Sequence, residues 1–155
     1  MNLLVEKLLK EKGVEYQLIK LSQNAYTVYD VVKYSNGNVK SEEICKTIIL
    51  QGKKSNKKIA ILLRGNDKIS FSELKRITGE EMAIANEEQV KEAAGVDPGA
   101  VCPFLLKVPL LVDRLVMGLE KINCGSGDHL YGLEFKIEDL AKVIDYKVVS
   151  LAKVL

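Results

Sequence analysis

Histidine, cysteine and proline are scarce in this chain, with one, three and three copies in 155 residues. Cys45, Cys102 and Cys124 are an odd number at unrelated spacings, which argues against a disulfide framework. No Cys-x-x-Cys pair anchors a metal site, so these cysteines and His129 read as free thiols and a lone imidazole rather than a Cys3His centre. No metal site is expected from these residues. One histidine also leaves little for a cysteine–histidine nucleophile pair, since nothing in the sequence fixes His129 near Cys102 or Cys124. The longest apolar runs are too short to span a bilayer, and Met1–Lys7 lacks the basic-then-apolar layout of a secretory signal. A cytoplasmic protein is expected, with no membrane partner.

Charge of one sign is lacking too. Lysine and arginine total 23 against 21 acidic residues, a net charge of +2, far below that of proteins that wrap long nucleic acid. DNA is therefore not an expected partner, whereas a small contact with the end of a nucleic acid is compatible with this balance. There is no phosphate-binding Gly-x-x-x-x-Gly-Lys-Ser/Thr loop and no dinucleotide fingerprint, and Gly125-Ser126-Gly127 is not the Gly-x-Ser-x-Gly of a hydrolase elbow. No repeat, linker or low-complexity stretch divides the chain. Residues 1–155 are expected to form one domain, with 47% hydrophobic and 28% charged residues suiting a globular core.

The most informative residue present is Lys46. The run Ile44-Cys45-Lys46-Thr47-Ile48-Ile49-Leu50 is β-branched and apolar and reads as a buried strand. Alternation puts Ile44, Lys46, Ile48 and Leu50 on one face, and Cys45, Thr47 and Ile49 on the other. Lysine is rarely buried without a partner, because burial disfavours its charged form and a nearby anion restores it. Either Lys46 snorkels to water or it points into a pocket that receives something anionic or electron-rich.

Around it the pattern predicts an amphipathic helix over 3–12, a strand at 16–21 and a short helix over 26–34. A hairpin joins 44–50 to 58–63 through a lysine-bearing turn. Ser70 and Asn86 are candidate caps of two helices that end near Gly79 and Gly95. All three prolines fall between Val96 and Pro109. Strands are expected at 110–112, 121–124, 129–135 and 146–149, with a helix at 137–144. Short connections force antiparallel pairing. The fold class is α+β: a mixed, mostly antiparallel, barrel-like sheet with helices packed around it.

Gly99-Ala100-Val101-Cys102-Pro103 joins Lys46 as a candidate. Glycine lets backbone approach a ligand closely, proline stiffens the other end, and such a loop can aim amides at a developing oxyanion. Cys45-Lys46-Thr47-Ile48-Ile49-Leu50, then Gly99-Ala100-Val101-Cys102-Pro103, then Ile122-Asn123-Cys124-Gly125-Ser126-Gly127, occur in the order and spacing of one family. The chain resembles the YbaK and prolyl-tRNA synthetase insertion-domain family of aminoacyl-tRNA deacylases over roughly residues 1–150. Asp113 stands in the acidic position between the second and third motifs.

That resemblance implies hydrolysis of the ester between a wrong amino acid and the terminal ribose of a tRNA, tRNA-Pro carrying alanine or cysteine above all. The partner it implies is the acceptor end of mischarged aminoacyl-tRNA, and it implies no metal or organic cofactor. No synthetase motif is present, so a freestanding editor, monomeric or weakly dimeric, is expected. The implied site is Lys46 with the 99–103 loop as catalytic elements and Thr47, Gly125, Ser126, Gly127 and Tyr26 as substrate contacts. The runner-up is a non-catalytic nucleotide- or aminoacyl-tRNA-binding module of the same fold.

Overall fold

The computed structural model describes residues 3–153. Helix α1 (Leu4–Glu11) forms where apolar residues recur four apart, burying Val5 and Leu9, and the chain turns out of it at Gly13. Strand β1 (Tyr16–Lys20) leads to helix α2 (Val28–Tyr34), which starts one residue after its cap, Thr27; the Thr27 hydroxyl accepts from the Asp30 amide. Strands β2 (Cys45–Gly52) and β3 (Lys58–Arg64) make the expected hairpin, with Lys46 opposite Leu63 and Thr47 opposite Leu62. A short strand β4 (Lys68–Ile69) precedes helix α3 (Phe71–Thr78), capped by Ser70 and closed by left-handed Gly79. Strand β5 (Met82–Ile84) is followed by helix α4 (Glu87–Ala94). There Asn86 and Gln89 cap each other reciprocally, and Gly95 closes the end in the left-handed conformation.

The second half is mostly strand. β6 (Leu110–Asp113) runs into one helical turn, α5 (Arg114–Met117), and then β7 (Lys121–Gly125) and β8 (Tyr131–Lys136) pair antiparallel. The expected helix at 137–144 is a 3-10 segment, Ile137–Lys142. β9 (Lys147–Val149) and β10 (Ala152–Lys153) complete the described chain.

Three sheets result. The largest has the order β5-β2-β3-β6-β9, the second β1-β8-β7, and the third is β10 with β4. Five pairings are antiparallel; β3–β6 and β6–β9 are parallel. The mixed, mostly antiparallel α+β class therefore holds. No sheet closes on itself among the described residues, so the barrel-like element is realised only as open sheets packed face to face.

The core lies between the two larger sheets, where Ile49, Leu62 and Val112 meet Ile122, Leu133 and Phe135. A second cluster covers the other face of the large sheet, built from Leu50, Ile61, Leu63, Leu74 and Leu151. The central strands are thus buried on both faces, which is why β2 and β3 read as continuous apolar runs. An isolated parallel bridge between Ile44 and Asn123 stitches the sheets together, and it brings the start of β2 beside β7.

Candidate active site

β2 has an open edge at Thr47: β5 pairs with it only at Leu50–Gly52 and reaches no further than the Ala85 amide donating to Ile49 O at 2.9 Å, and β7 meets the chain at Ile44, through the bridge to Asn123. Peptide groups alternate sides along a strand. The N–H and C=O of Thr47 therefore point the same way as those of Ile49, beyond the end of β5 and away from β3. A cavity of about 320 Å³ opens at this edge. It is lined by Lys46 and Thr47 from β2, Gly99 and Val101 from the proline-rich segment, and Gly125 from β7. Tyr26, 58% exposed, stands at its mouth.

Lys46 and Thr47 leave the strand on opposite faces, as alternation requires, and the open edge lets both line the cavity. The Lys46 Nζ donates to Gly65 O at 2.9 Å. Burial holds its pKa below the usual lysine value; Lys68 adds to this and Asp67 opposes it. The Thr47 Oγ1 is buried without a hydrogen-bond partner. The Asn123 Nδ2 is in the same state, on a residue 2% exposed that also lines the cavity. Gly132 makes room for that amide, since a Cβ there would lie 2.7 Å from Asn123 Oδ1.

The 99–103 loop is divided. Gly99, at φ +93°, and Val101 face the cavity, while Ala100, Cys102 and Pro103 are buried behind it. The Ala100 amide donates to Asp97 O at 3.3 Å and Ala100 O accepts from the Gly127 amide at 2.9 Å. No protein acceptor among the described residues takes the amides of Gly99 or Val101. Gly125 packs directly on this loop: a Cβ there would fall 2.2 Å from Val101 O. Only glycine fits that approach.

Ser126 and Gly127, expected as substrate contacts, belong to the turn instead of the cavity wall. The Ser126 hydroxyl donates to Tyr131 O at 2.7 Å or Asp128 O at 3.1 Å and accepts from the Asp128 amide at 3.2 Å. Its hydrogen-bonding capacity is thus used inside the turn. Asp113 is a clasp as well: its carboxylate accepts from the amides of Leu115, Leu151 and Ala152, tying the C-terminal segment to β6. The hairpin lysines lie at the far end of β2, where Lys53 and Lys58 pair with Glu81 and Glu92.

His129, set aside in the sequence as a lone imidazole, and Asn123, present there only within its motif, both line the cavity. For Asn123 the signal was there, a polar residue inside the apolar strand Ile122-Asn123-Cys124, the same anomaly that flagged Lys46. The cysteines are all buried. Burial pushes the thiols of Cys45 and Cys102 up to about 12, and that of Cys124 well above its usual value. Among the described residues no three His, Cys, Asp or Glu side chains converge so as to hold a metal ion.

The fold has solved counterparts. A hypothetical protein of known crystal structure superposes with TM-score 0.86 at 24% identity, over 96% of this chain and 99% of that one. The crystal structure of a candidate trans-editing enzyme for prolyl-tRNA synthetase gives TM-score 0.82 at 18% identity, over 96% and 94% of the two chains. A candidate signal transduction protein from Marinobacter aquaeolei contains a similar unit, TM-score 0.69 at 19% identity, in 30% of its length. At such identities the likeness is one of fold. The sequence itself matches the family model of the aminoacyl-tRNA editing domain over residues 22–143, the stretch that carries every cavity-lining segment described above. The chain belongs to the aminoacyl-tRNA editing domain family.

Proposed function

We propose that this protein is an aminoacyl-tRNA deacylase that hydrolyses the ester joining a small wrong amino acid to the terminal ribose of a tRNA, with Ala- or Cys-tRNA-Pro as its substrate. One observation carries the reading. Three segments far apart in sequence, at Lys46–Thr47, Gly99–Val101 and Gly125, meet on one cavity. Family membership and the fold shared with a candidate trans-editing enzyme support it. Editing has a physical cause: a synthetase pocket separates side chains differing by one methylene by only about 1–3 kcal/mol.

The geometry supports a division of labour. At about 320 Å³ the cavity sits at the small end of the range of ligand sites, which suits a small aminoacyl group and part of a ribose. The free amides of Gly99 and Val101 receive the ester carbonyl oxygen and stabilise it as it becomes an oxyanion. The Lys46 ammonium has two further protons beyond the one given to Gly65 O, and these meet ribose or phosphate oxygens. Tyr26 offers an exposed ring at the mouth for a base to stack on. Thr47 contributes a hydroxyl and an open peptide group to the aminoacyl moiety.

The test is single-turnover deacylation of tRNA-Pro charged with alanine, cysteine or serine, alongside a binding titration with the same tRNAs. Wild type is expected to release at least one amino acid well above the buffer rate, and Lys46→Ala to lose most of that rate. Tight binding with no release would make the protein a binding module. Full activity of Lys46→Ala would remove the lysine from the mechanism.

A further inference from the structure

His129 is the sole histidine of the chain and lies on the turn between β7 and β8. Its Nδ1 is 3.0 Å from Ala25 O. A carbonyl oxygen can only accept, so Nδ1 carries a proton, and in the neutral ring Nε2 is the nitrogen that keeps its lone pair. The backbone carbonyl of His129 accepts from the Ala25 amide at 2.9 Å, so side chain and main chain grip the same residue. The ring also packs on Tyr26, with centroids 4.4 Å apart and planes tilted by 39°. Tautomer and orientation are thus both set by the fold.

The ring also reaches the glycine loop. Its Cε1, the carbon between Nδ1 and Nε2, lies 3.6 Å from where a Cβ on Gly99 would stand. The same Cβ would lie 3.1 Å from Tyr26 O, so Tyr26, Gly99 and His129 form one junction on the cavity wall. The imidazole therefore stands beside the loop whose amides of Gly99 and Val101 have no protein acceptor among the described residues. Of the other titratable groups on the wall, the Cys45 and Cys124 thiols are held protonated by burial, and the Asp128 carboxylate accepts the Leu130 amide at 2.8 Å within its own turn. A base oriented by a backbone carbonyl, next to unpaired amide donors, is the arrangement that activates a nucleophile at an acyl centre.

We infer that His129 is the general base of the hydrolysis, an inference that rests on the deacylase reading above. Nε2 takes a proton from a water molecule as the water oxygen bonds to the ester carbonyl carbon. The carbonyl electron pair moves onto its oxygen, which is held by the loop amides. Collapse restores the C=O bond and breaks the bond from that carbon to the ribose oxygen. The ribose oxygen leaves with the proton that His129 returns. One water is consumed, and the products are the free amino acid and a tRNA with its terminal hydroxyl restored.

His129→Asn separates this role from a structural one. The asparagine Nδ2 takes the place of the imidazole Nδ1 and keeps the bond to Ala25 O, but no base remains. On whichever charged tRNA wild type cleaves fastest, His129→Asn is expected to lose about 10²–10⁴-fold in kcat with KM within about threefold and an unchanged melting curve. His129→Gln, which also lacks a base, gives the same reading should the asparagine variant melt early. Imidazole added to His129→Ala is expected to restore part of the rate, which a purely structural residue would not allow. Turnover of the asparagine variant within about threefold of wild type, or a loss confined to KM, overturns the inference and leaves the deacylase reading standing. Failure of wild type to release any amino acid overturns both.

Discussion

Adding one methyl group at Gly125 tests whether the contact between β7 and the 99–103 loop sets the geometry of the cavity. In Gly125→Ala the new Cβ would stand 2.2 Å from Val101 O, 2.9 Å from Val101 C and 3.0 Å from Ala100 C. All three atoms are backbone, so no side chain can rotate away. Ordinary contact begins near 3.4 Å, so strand and loop must part by about 1 Å. β7 is pinned by its ladder to β8, where Gly125 faces Gly132, so the loop is the side that yields. Overpacking of this kind costs about 1–3 kcal/mol. For a chain of this size that lowers Tm by about 2–12 °C. A shift of about 1 Å at the amides of Gly99 and Val101 is also expected to lower kcat/KM about 10²-fold. Gly118→Ala is the control, since its nearest neighbour would be Leu115 O at 3.5 Å and its φ is −81°; it should stay within about 0.5 kcal/mol of wild type. Thermal melts and single-turnover deacylation of both variants decide the matter. If Gly125→Ala melts with wild type and keeps its rate, the loop is not held by this contact and the argument for preorganised amides fails.

Four further outcomes follow from the same contacts. Ser126→Ala should lose about 1–2 kcal/mol of stability by breaking the 126–131 turn, yet leave KM unchanged, because its hydroxyl is used within the turn; a raised KM with an unchanged melt would restore it as a substrate contact. Asp113→Ala orphans the amides of Leu115, Leu151 and Ala152 and should cost about 3 kcal/mol or more in denaturant melts, with faster hydrogen exchange at 151–152; unchanged exchange there would show that the clasp is dispensable. Thiols raised on folding stay protonated in the native state, so stability should fall as pH rises from the ordinary thiol value of about 8.5 towards about 12, by about 1 kcal/mol per thiol at pH 9.5. A thiol reagent at pH 8 should label none of Cys45, Cys102 and Cys124 until the protein is unfolded, and rapid native labelling would contradict their burial.

Local signals in the sequence were read well because their causes are local. The caps at Ser70 and Asn86 and the stops at Gly79 and Gly95 are set by a few adjacent residues, and both helices formed between them. The β2–β3 hairpin has a five-residue connection, 53–57, which leaves antiparallel pairing as the only short solution. The parallel pairings of β6 with β3 and β9 were not legible, since they join segments tens of residues apart and no short turn specifies them. The two-residue strands β4 and β10 are too short to show any alternation. At the site, Lys46 and the glycine positions 99 and 125 were legible as anomalies of strand and turn chemistry. Ser126 was misplaced because a serine between glycines looks the same whether its hydroxyl faces a ligand or closes its own turn. Nothing local in the sequence marks His129, because its partner, Ala25, lies 104 residues away.

The lysine anomaly acquires a more specific meaning from the edge of β2. A fully paired strand could offer the cavity only one face, and Lys46 and Thr47 would then have been exclusive candidates. Because β5 ends before Thr47, the strand offers side chains from both faces and the open peptide group between them. Several of these groups are unsatisfied: the Thr47 hydroxyl and the Asn123 amide lack partners, and burial disfavours the charge on Lys46. Each buried polar group left unpaired costs about 1–3 kcal/mol. Among the described residues the buried side-chain groups without a protein partner both lie at the cavity, while elsewhere the hydroxyl of Ser126 and the carboxylate of Asp113 are used within the fold. A ligand rich in oxygen and nitrogen relieves the cost on binding, whereas an apolar one of the same size does not. On the proposed deacylase reading, the polar acceptor end of a charged tRNA meets what the folded chain leaves unpaired, and Lys46 is one member of that set rather than the whole of it.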